Sequence, residues 1–352
     1  MTKFLMAVLA FGLAISGAAH AQVATTTPPP VAGAKPVTVE RITVHSRAIE
    51  GNLEGNSADR VVLVMLPPSY RSTPTRRYPV VYALHGYSIG AEQWAKEIHV
   101  PQTIEGAFAK GAREMIVVLP DSKTVHNGSF YSSSVTVGDF EQFIAHDLVG
   151  YIDAHFRTLA DRRSRGLAGH SMGGYGTARI GMKHPDIFGA LYMMSPCCLS
   201  IRALGTPDAA AEKTLRALRS PTESARVSWG LRAQLATAAA WSPNPKAPPL
   251  FLDLPIKDGV AQPDVIARWA ANAPLSMLDQ YVGNLRRYAA IGLDVGDRDG
   301  LKGDAIALHE GLDRYGIANQ FAVYPGDHTS GVAGRVQDVM IPFFSRSLAF
   351  AR

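Results

Sequence analysis

Short apolar runs that alternate with amphipathic helical stretches restrict the fold of this chain more than any other feature. The runs have the β-branched composition and length of strands, and they lie at 37–46, 60–67, 78–86, 115–121, 188–196, 289–295 and 320–324. Between them, residues 138–157 place apolar side chains three and four positions apart, which predicts an amphipathic helix. Repeated strand–helix–strand order predicts an α/β fold with a mainly parallel central sheet and helices on both faces.

A glycine-rich turn at Gly169–Gly174 (GHSMGG) separates one predicted strand from a helix of small residues. The G-x-S-x-G pattern presents its serine outward on a strained turn, and the glycines let strand and helix approach each other. The helix amino terminus then faces developing negative charge. The segment 86–90 (GYSIG) matches the same pattern, but no Gly-Gly-x-Gly helix opening follows Ser88. We therefore favour Ser171 over Ser88 as a nucleophile.

A nucleophilic serine needs a general base, and the base needs an orienting acid. His328 follows the last predicted strand, and Asp299 follows the strand before it. The order Ser171, Asp299, His328 is the order found in α/β-hydrolases. Spacing alone leaves Asp297 and Asp294 open as the acid. His170, beside the serine, is expected to pack or to hydrogen-bond locally.

Several segments together resemble the esterase D-type family of α/β-hydrolases, which includes S-formylglutathione hydrolases, feruloyl and enterochelin esterases and mycolyltransferases. The matching segments are LPPSY, RRYPVVYALHG, VVLPD, DLVGYIDAHFR, GHSMGGYG, KHPDIFGA, GDRDG and GDHTSG. The resemblance implies Ser171 as nucleophile, Asp299 as acid and His328 as base. It also implies backbone N–H donors at Tyr87 and Met172 for the oxyanion, with no cofactor.

Residues 199–280 break the strand–helix rhythm and match no substrate class. We interpret them as a large insertion within a single domain that spans 37–352. Two roles for the insertion stay open: a cap over the site, or a structural excursion with no catalytic role. Three aromatic residues could line a pocket but are expected to lie in the core, namely Trp94, Tyr131 and Trp241.

The first 21 residues predict a secretory signal peptide, with Lys3 before an apolar stretch and an A-x-A cleavage site at 19–21. The apolar stretch is short for an uncleaved membrane anchor, which is the alternative. Residues 22–36 are rich in Pro and Thr and are expected to be a flexible leader. The mature protein is therefore expected to be secreted or periplasmic, without an integral membrane segment.

The remaining composition excludes several classes. Lys and Arg total 35 against 30 Asp and Glu, without long basic runs, so a nucleic-acid partner has little support. No metal or nucleotide motif is present. The only two cysteines, Cys197 and Cys198, are adjacent, and we expect two unbridged side chains rather than a strained vicinal disulfide.

These features predict an exported serine carboxylic ester hydrolase that acts on a small-molecule or glycan-linked ester. An acyltransferase with the same acyl-enzyme is the alternative. A catalytically silent binding protein is a third hypothesis, and the filled triad positions argue against it.

Overall fold

The computed structural model describes residues 23–201 and 209–351, so the predicted signal peptide at 1–21 lies outside the described residues. An eight-stranded sheet forms its centre. The strands are β1 (Thr38–His45), β2 (Asp59–Leu66), β3 (Val80–Leu84), β4 (Ile116–Pro120), β5 (Arg165–His170), β6 (Ala190–Met194), β7 (Ala290–Gly296) and β8 (Gln320–Tyr324).

The strands lie in the order β1-β2-β4-β3-β5-β6-β7-β8. Strand β2 is antiparallel to both β1 and β4, and every other neighbouring pair is parallel. From β3 the chain first adds β4 on one side and then β5 on the other. Such a reversal opens a crevice at the carboxyl ends of the two strands, where ligands bind in open α/β sheets.

Helices cover both faces of the sheet. They are α1 (Ala91–Glu97), α2 (Gln102–Ala109), α3 (140–155), α4 (Met172–Lys183), α5 (Ala209–Arg216), α6 (Trp229–Trp241), α7 (Pro263–Asn272), α8 (Pro274–Met277), α9 (Val282–Leu285), α10 (Lys302–Arg314) and α11 (332–347). Helices α3 and α11 each contain a π-helical turn, at Phe143–Asp147 and Val336–Met340.

The sheet separates two hydrophobic cores. One core packs α1, α2 and α11 against one face, and the other packs α3, α4 and α10 against the opposite face. Strands β3, β4 and β6 are buried at every residue, as expected for central parallel strands covered on both sides. The predicted α/β fold with a mainly parallel sheet is confirmed.

The predicted insertion occupies the connection between β6 and β7 and packs on the same face as α3 and α4. Its helix α6 contributes Leu235 and Trp241 to that core, and α7 contributes Trp269. A small antiparallel ribbon joins Ile256–Lys257 to Val260–Ala261. A second ribbon, Ser133–Ser134 with Gly138–Asp139, contacts the insertion because Ser134 donates to the carbonyl of Ala239.

The segment expected to be a flexible leader lies against the domain. Residues 23–37, here called the amino-terminal strap, bury Val23 and Val37 in the core beside α1 and α2. The backbone N–H of Val23 donates to Glu97 over 2.7 Å, and that of Val37 donates to Glu105 over 2.9 Å. The strap has few large apolar residues of its own, and residues far along the chain hold it in place.

Candidate active site

Ser171 occupies the sharp turn between β5 and α4. Its backbone has φ 56° and ψ −115°, a conformation that costs free energy for any residue other than glycine. A Cβ atom on Gly169 would come within 2.2 Å of the carbonyl oxygen of Gly173, and one on Gly173 within 2.1 Å of that of Leu84. Only glycine fits at either position, so the two glycines allow the close packing that holds the strained serine.

The structure brings Ser171, His328 and Asp299 into one hydrogen-bonded chain. The serine Oγ lies 2.9 Å from Nε2 of His328, and Nδ1 of His328 lies 2.8 Å from Oδ2 of Asp299. The other carboxylate oxygen of Asp299 accepts the N–H of Leu301. Burial raises the pKa of Asp299, but these hydrogen bonds outweigh burial and keep it below its usual value. A charged acid, an oriented imidazole and a serine hydroxyl are therefore aligned.

The two other candidate acids have different partners. Oδ1 of Asp297 accepts the backbone N–H of Gly326, and its side chain is exposed. Asp294 is fully buried in β7, where its carboxylate binds the guanidinium of Arg335 and the hydroxyl of Tyr192. Neither carboxylate contacts the imidazole of His328, which leaves Asp299 as the partner of that ring.

His170 supports the histidine from behind. Its Nε2 lies 2.8 Å from the carbonyl oxygen of His328, and since a carbonyl only accepts, Nε2 carries the proton. Burial lowers the pKa of His170 to about 3, so the ring is neutral. The expectation of a local contact for His170 understated this role, because its partner lies 158 residues away.

The loop after β3 crosses in front of the serine. A Cβ atom on Gly86 would lie 3.5 Å from Cβ of Ser171, which places the Gly86–Tyr87 peptide beside that serine. His85 is fully buried, and its Nε2 accepts the backbone N–H of Ser122 over 2.8 Å. Its Nδ1 therefore carries the proton and donates to the carbonyl of Gly86, also over 2.8 Å. Sequence reasoning passed over His85.

Ser88, the competing serine, lies in the same loop with φ 71°. Its backbone N–H donates to the carbonyl of Asn127, while its buried hydroxyl has no hydrogen-bond partner in the part of the chain that the structure describes. Among the described residues, the imidazole of His328 contacts Ser171 and not Ser88. Within 23–201 and 209–351, no imidazole is thus hydrogen-bonded to the hydroxyl of Ser88.

Aromatic side chains surround this loop. The hydroxyl of Tyr87 donates to the carbonyl of His126, and the ring of Trp229 meets the Tyr87 ring edge-on at 5.3 Å. Trp229 is half exposed, at 53%. The aromatic residues Trp94, Tyr131 and Trp241 are all at least 96% buried, as expected for core residues.

Cys197 and Cys198 form a disulfide, so the expectation of two unbridged side chains is wrong. The backbone N–H of Cys197 donates to the carbonyl of Ser171, which brings the pair beside that serine. Both cysteines are partly exposed. The bridge spans adjacent residues and cross-links no distant segments.

Within 23–201 and 209–351, no group of three or more His, Cys, Asp or Glu side chains is arranged to hold a metal ion. None of the helices in these ranges has the length and hydrophobicity needed to cross a membrane.

Known proteins resemble this chain in sequence and in fold. The model of a family described as Esterase matches residues 56–331, more than three quarters of the chain. The chain belongs to the Esterase family. An endo-1,4-beta-xylanase/feruloyl esterase of Xylanibacter ruminicola is 30% identical over 120 residues, which cover 34% of this chain and 16% of that relative. Esterase Rv1288 of Mycobacterium tuberculosis is 35% identical over 127 residues, covering 35% of this chain and 26% of the relative.

The chain thus spans about a quarter or less of the length of these curated relatives. A solved structure of a ferulic acid esterase superposes with a TM-score of 0.63 at 24% identity, covering 89% of this chain and 99% of that one. This likeness shows that the esterase shares its fold over nearly its full length.

Proposed function

We propose that this member of the Esterase family is an exported serine esterase in which Ser171 is the nucleophile, His328 the base and Asp299 the acid. The observation that carries the proposal is the continuous hydrogen-bonded chain through these three side chains, with distances of 2.9 and 2.8 Å. Export rests on the signal-peptide pattern at 1–21.

In the first half-reaction, Oγ of Ser171 forms a bond to the ester carbonyl carbon while its proton passes to Nε2 of His328. The resulting tetrahedral intermediate collapses, the alcohol leaves with that proton, and an acyl-serine remains. Water then attacks the acyl-serine, His328 takes and returns the proton, and the acid is released. Asp299 stays ionised throughout and stabilises the imidazolium.

Two backbone N–H groups are proposed to hold the oxyanion, those of Tyr87 and Met172. Met172 is the first residue of α4, so its N–H has no partner within the helix and points along the positive end of the helix dipole. In a trans peptide the carbonyl and the N–H point in opposite directions. Because His85 binds the Gly86 carbonyl, it fixes the direction of the Tyr87 N–H.

The first test is hydrolysis of short p-nitrophenyl esters and of methyl ferulate, a substrate suggested by the names of the relatives. We expect Ser171→Ala to abolish turnover and Ser88→Ala to retain it. The reverse result would transfer the nucleophile to Ser88. Product analysis with added alcohols tests the acyltransferase alternative, which fails if water remains the sole acceptor.

Substitution of Asp299 and of Asp297 tests which carboxylate is the acid of the triad. Asp299→Asn leaves His328 without an anionic partner and is expected to lower kcat by about 10³- to 10⁴-fold with the fold intact by circular dichroism. Asp297→Asn changes a carboxylate that binds only backbone and Arg298 and should stay within a few-fold of wild type. An inactive, folded Asp297→Asn with an active Asp299→Asn would overturn this assignment.

A further inference from the structure

The loop that carries His328 is held from two sides. This loop, here called the base loop, comprises residues 325–331 between β8 and α11. From inside, the ring of His170 binds the carbonyl of His328. From outside, the amino-terminal strap lies along the loop and the first turn of α11.

Four hydrogen bonds join the strap to this region. The N–H of Thr26 and the hydroxyl of Thr25 both donate to the carbonyl of Ser330, over 2.9 and 3.2 Å. The hydroxyl of Thr329, the residue after His328, donates to the carbonyl of Ala24 over 3.2 Å. The fourth bond runs from the backbone N–H of Ala333 to the hydroxyl oxygen of Thr25 over 3.0 Å.

Thr25 thus has two roles with one hydroxyl. It donates to the base loop and accepts from an N–H in the first turn of α11, which would otherwise lack a partner within the helix. Val23, two residues earlier, anchors the strap through its buried side chain and its bond to Glu97. The contacts of Val23 and Thr25 together hold the strap against the loop.

Without the strap, the base loop would keep the bond from His170, the bonds of Gly326 to Asp297 and Arg298, and a local turn. In that turn Oδ1 of Asp327 accepts the N–H groups of Thr329 and Ser330, and Oγ of Ser330 accepts that of Asp327. The turn fixes the shape of the loop and His170 holds its inner side, whereas the strap holds its outer side at Thr329 and Ser330. Catalysis is sensitive to such placement, since a displacement of about 1 Å can cost about 100-fold in rate.

We propose that residues 23–26 form a clamp that holds the base loop in its reactive position, with Thr25 as a positioning residue for His328. This inference rests on the proposed esterase function. The clamp begins two residues after the predicted cleavage site at Ala21, so signal removal leaves it on the mature chain.

The test compares Thr25→Val, which keeps the shape of the side chain but loses both hydrogen bonds, with Thr25→Ser, which keeps the hydroxyl. We expect Thr25→Val to lower kcat about tenfold with KM within about twofold, and Thr25→Ser to restore most of kcat. Gln102→Leu is the matched control, because it removes the bond from Gln102 to Pro28 farther along the strap. It should leave kcat unchanged. Equal kcat for Thr25→Val and Gln102→Leu would overturn the proposal.

Hydrogen–deuterium exchange tests the clamp independently of esterase activity. Amides of residues 328–334 should exchange faster in Thr25→Val than in Gln102→Leu. If wild-type protein hydrolyses no ester, the proposed function fails, and this exchange difference still decides the clamp. Identical exchange in the two variants would reject it.

Discussion

A single buried imidazole, that of His85, sets the direction of a peptide beside Ser171. Its Nε2 is occupied by the N–H of Ser122, so only the tautomer with a proton on Nδ1 can bind the Gly86 carbonyl. Burial lowers the pKa of His85, which keeps the ring neutral. The side chain therefore acts through the Gly86–Tyr87 peptide and not on the substrate itself.

Two substitutions separate the two contacts of His85. Asn can place a donor near the position of Nδ1, whereas Gln reaches the position of Nε2 and leaves the Gly86 carbonyl without a donor. We expect His85→Gln to lower kcat by about 10²-fold with little change in KM, and His85→Asn to lose less. Steady-state kinetics and the affinity for a boronic acid inhibitor measure this loss. Equal activity of His85→Gln and wild type would show that the peptide orients itself without the imidazole.

The candidate triad could be predicted from the sequence, because it depends on residue type and on the order of residues along the chain. Ser171, Asp299 and His328 each follow a strand, namely β5, β7 and β8, and the structure brings their side chains together. The supporting histidines could not be found in this way. His85 and His170 act through contacts with backbone carbonyls, and that of His170 lies 158 residues away, so no local pattern marks them.

The turn between β5 and α4 leaves no space for a side chain at Gly169 or Gly173. Gly173 is the second residue of helix α4, and in a helix interior alanine ordinarily stabilises the chain by up to about 1 kcal/mol relative to glycine. A Cβ atom at position 173 would clash with the carbonyl oxygen of Leu84, so alanine is expected to destabilise the protein there. Helix α3 offers a control, because Gly150 is exposed and nothing lies within 4 Å of a Cβ placed there.

We therefore predict opposite effects for two Gly→Ala changes in helices. Gly173→Ala should lower the free energy of unfolding by about 3 kcal/mol or more, since backbone atoms must move. Gly150→Ala should raise it by up to about 1 kcal/mol. Urea unfolding of both variants gives the comparison. A neutral Gly173→Ala would mean that the turn relaxes more easily than the geometry implies.

The elements themselves were largely predictable, because their apolar periodicity is local. The amphipathic pattern at 138–157 gave α3, and the apolar runs gave the strands of the main sheet. The flexible leader was predicted at 22–36, but its described residues 23–36 lie against the domain through contacts that are not local. Three N–H groups of the strap donate to Glu97, Glu105 and Ser330, whose positions relative to the strap exist only in the folded molecule.

At the scale of the whole molecule, a buried carboxyl links three loops. Glu54 is buried, and Oε2 accepts a hydrogen bond from the Asn56 amide over 2.7 Å. The same amide donates to the carbonyl of Val137, and its oxygen accepts the N–H of Val125. The remaining oxygen of Glu54 faces Nε2 of His126 at 3.5 Å. The loops around 54, 125 and 137 thus meet at one polar cluster.

The protonation of this cluster makes stability depend on pH. Burial raises the pKa of Glu54 to about 8, although the bond from Asn56 opposes the shift, and burial lowers the pKa of His126 to about 3. Both groups are therefore neutral at pH 7. In the unfolded chain a glutamate ionises near pH 4.3. Between these values the folded protein holds a proton that the unfolded chain releases, so Glu54 makes the free energy of unfolding fall as pH rises.

Glu54→Gln should remove this dependence, because the amide copies the protonated carboxyl, with its oxygen accepting from Asn56 and its NH₂ facing His126. We predict that wild type loses a few kcal/mol of stability relative to Glu54→Gln between about pH 4 and pH 8. Thermal unfolding of both proteins across that range measures the difference, and the other titrating groups cancel because they are common to both. Parallel Tm curves would mean that Glu54 is ionised in the folded protein and pairs with a protonated His126.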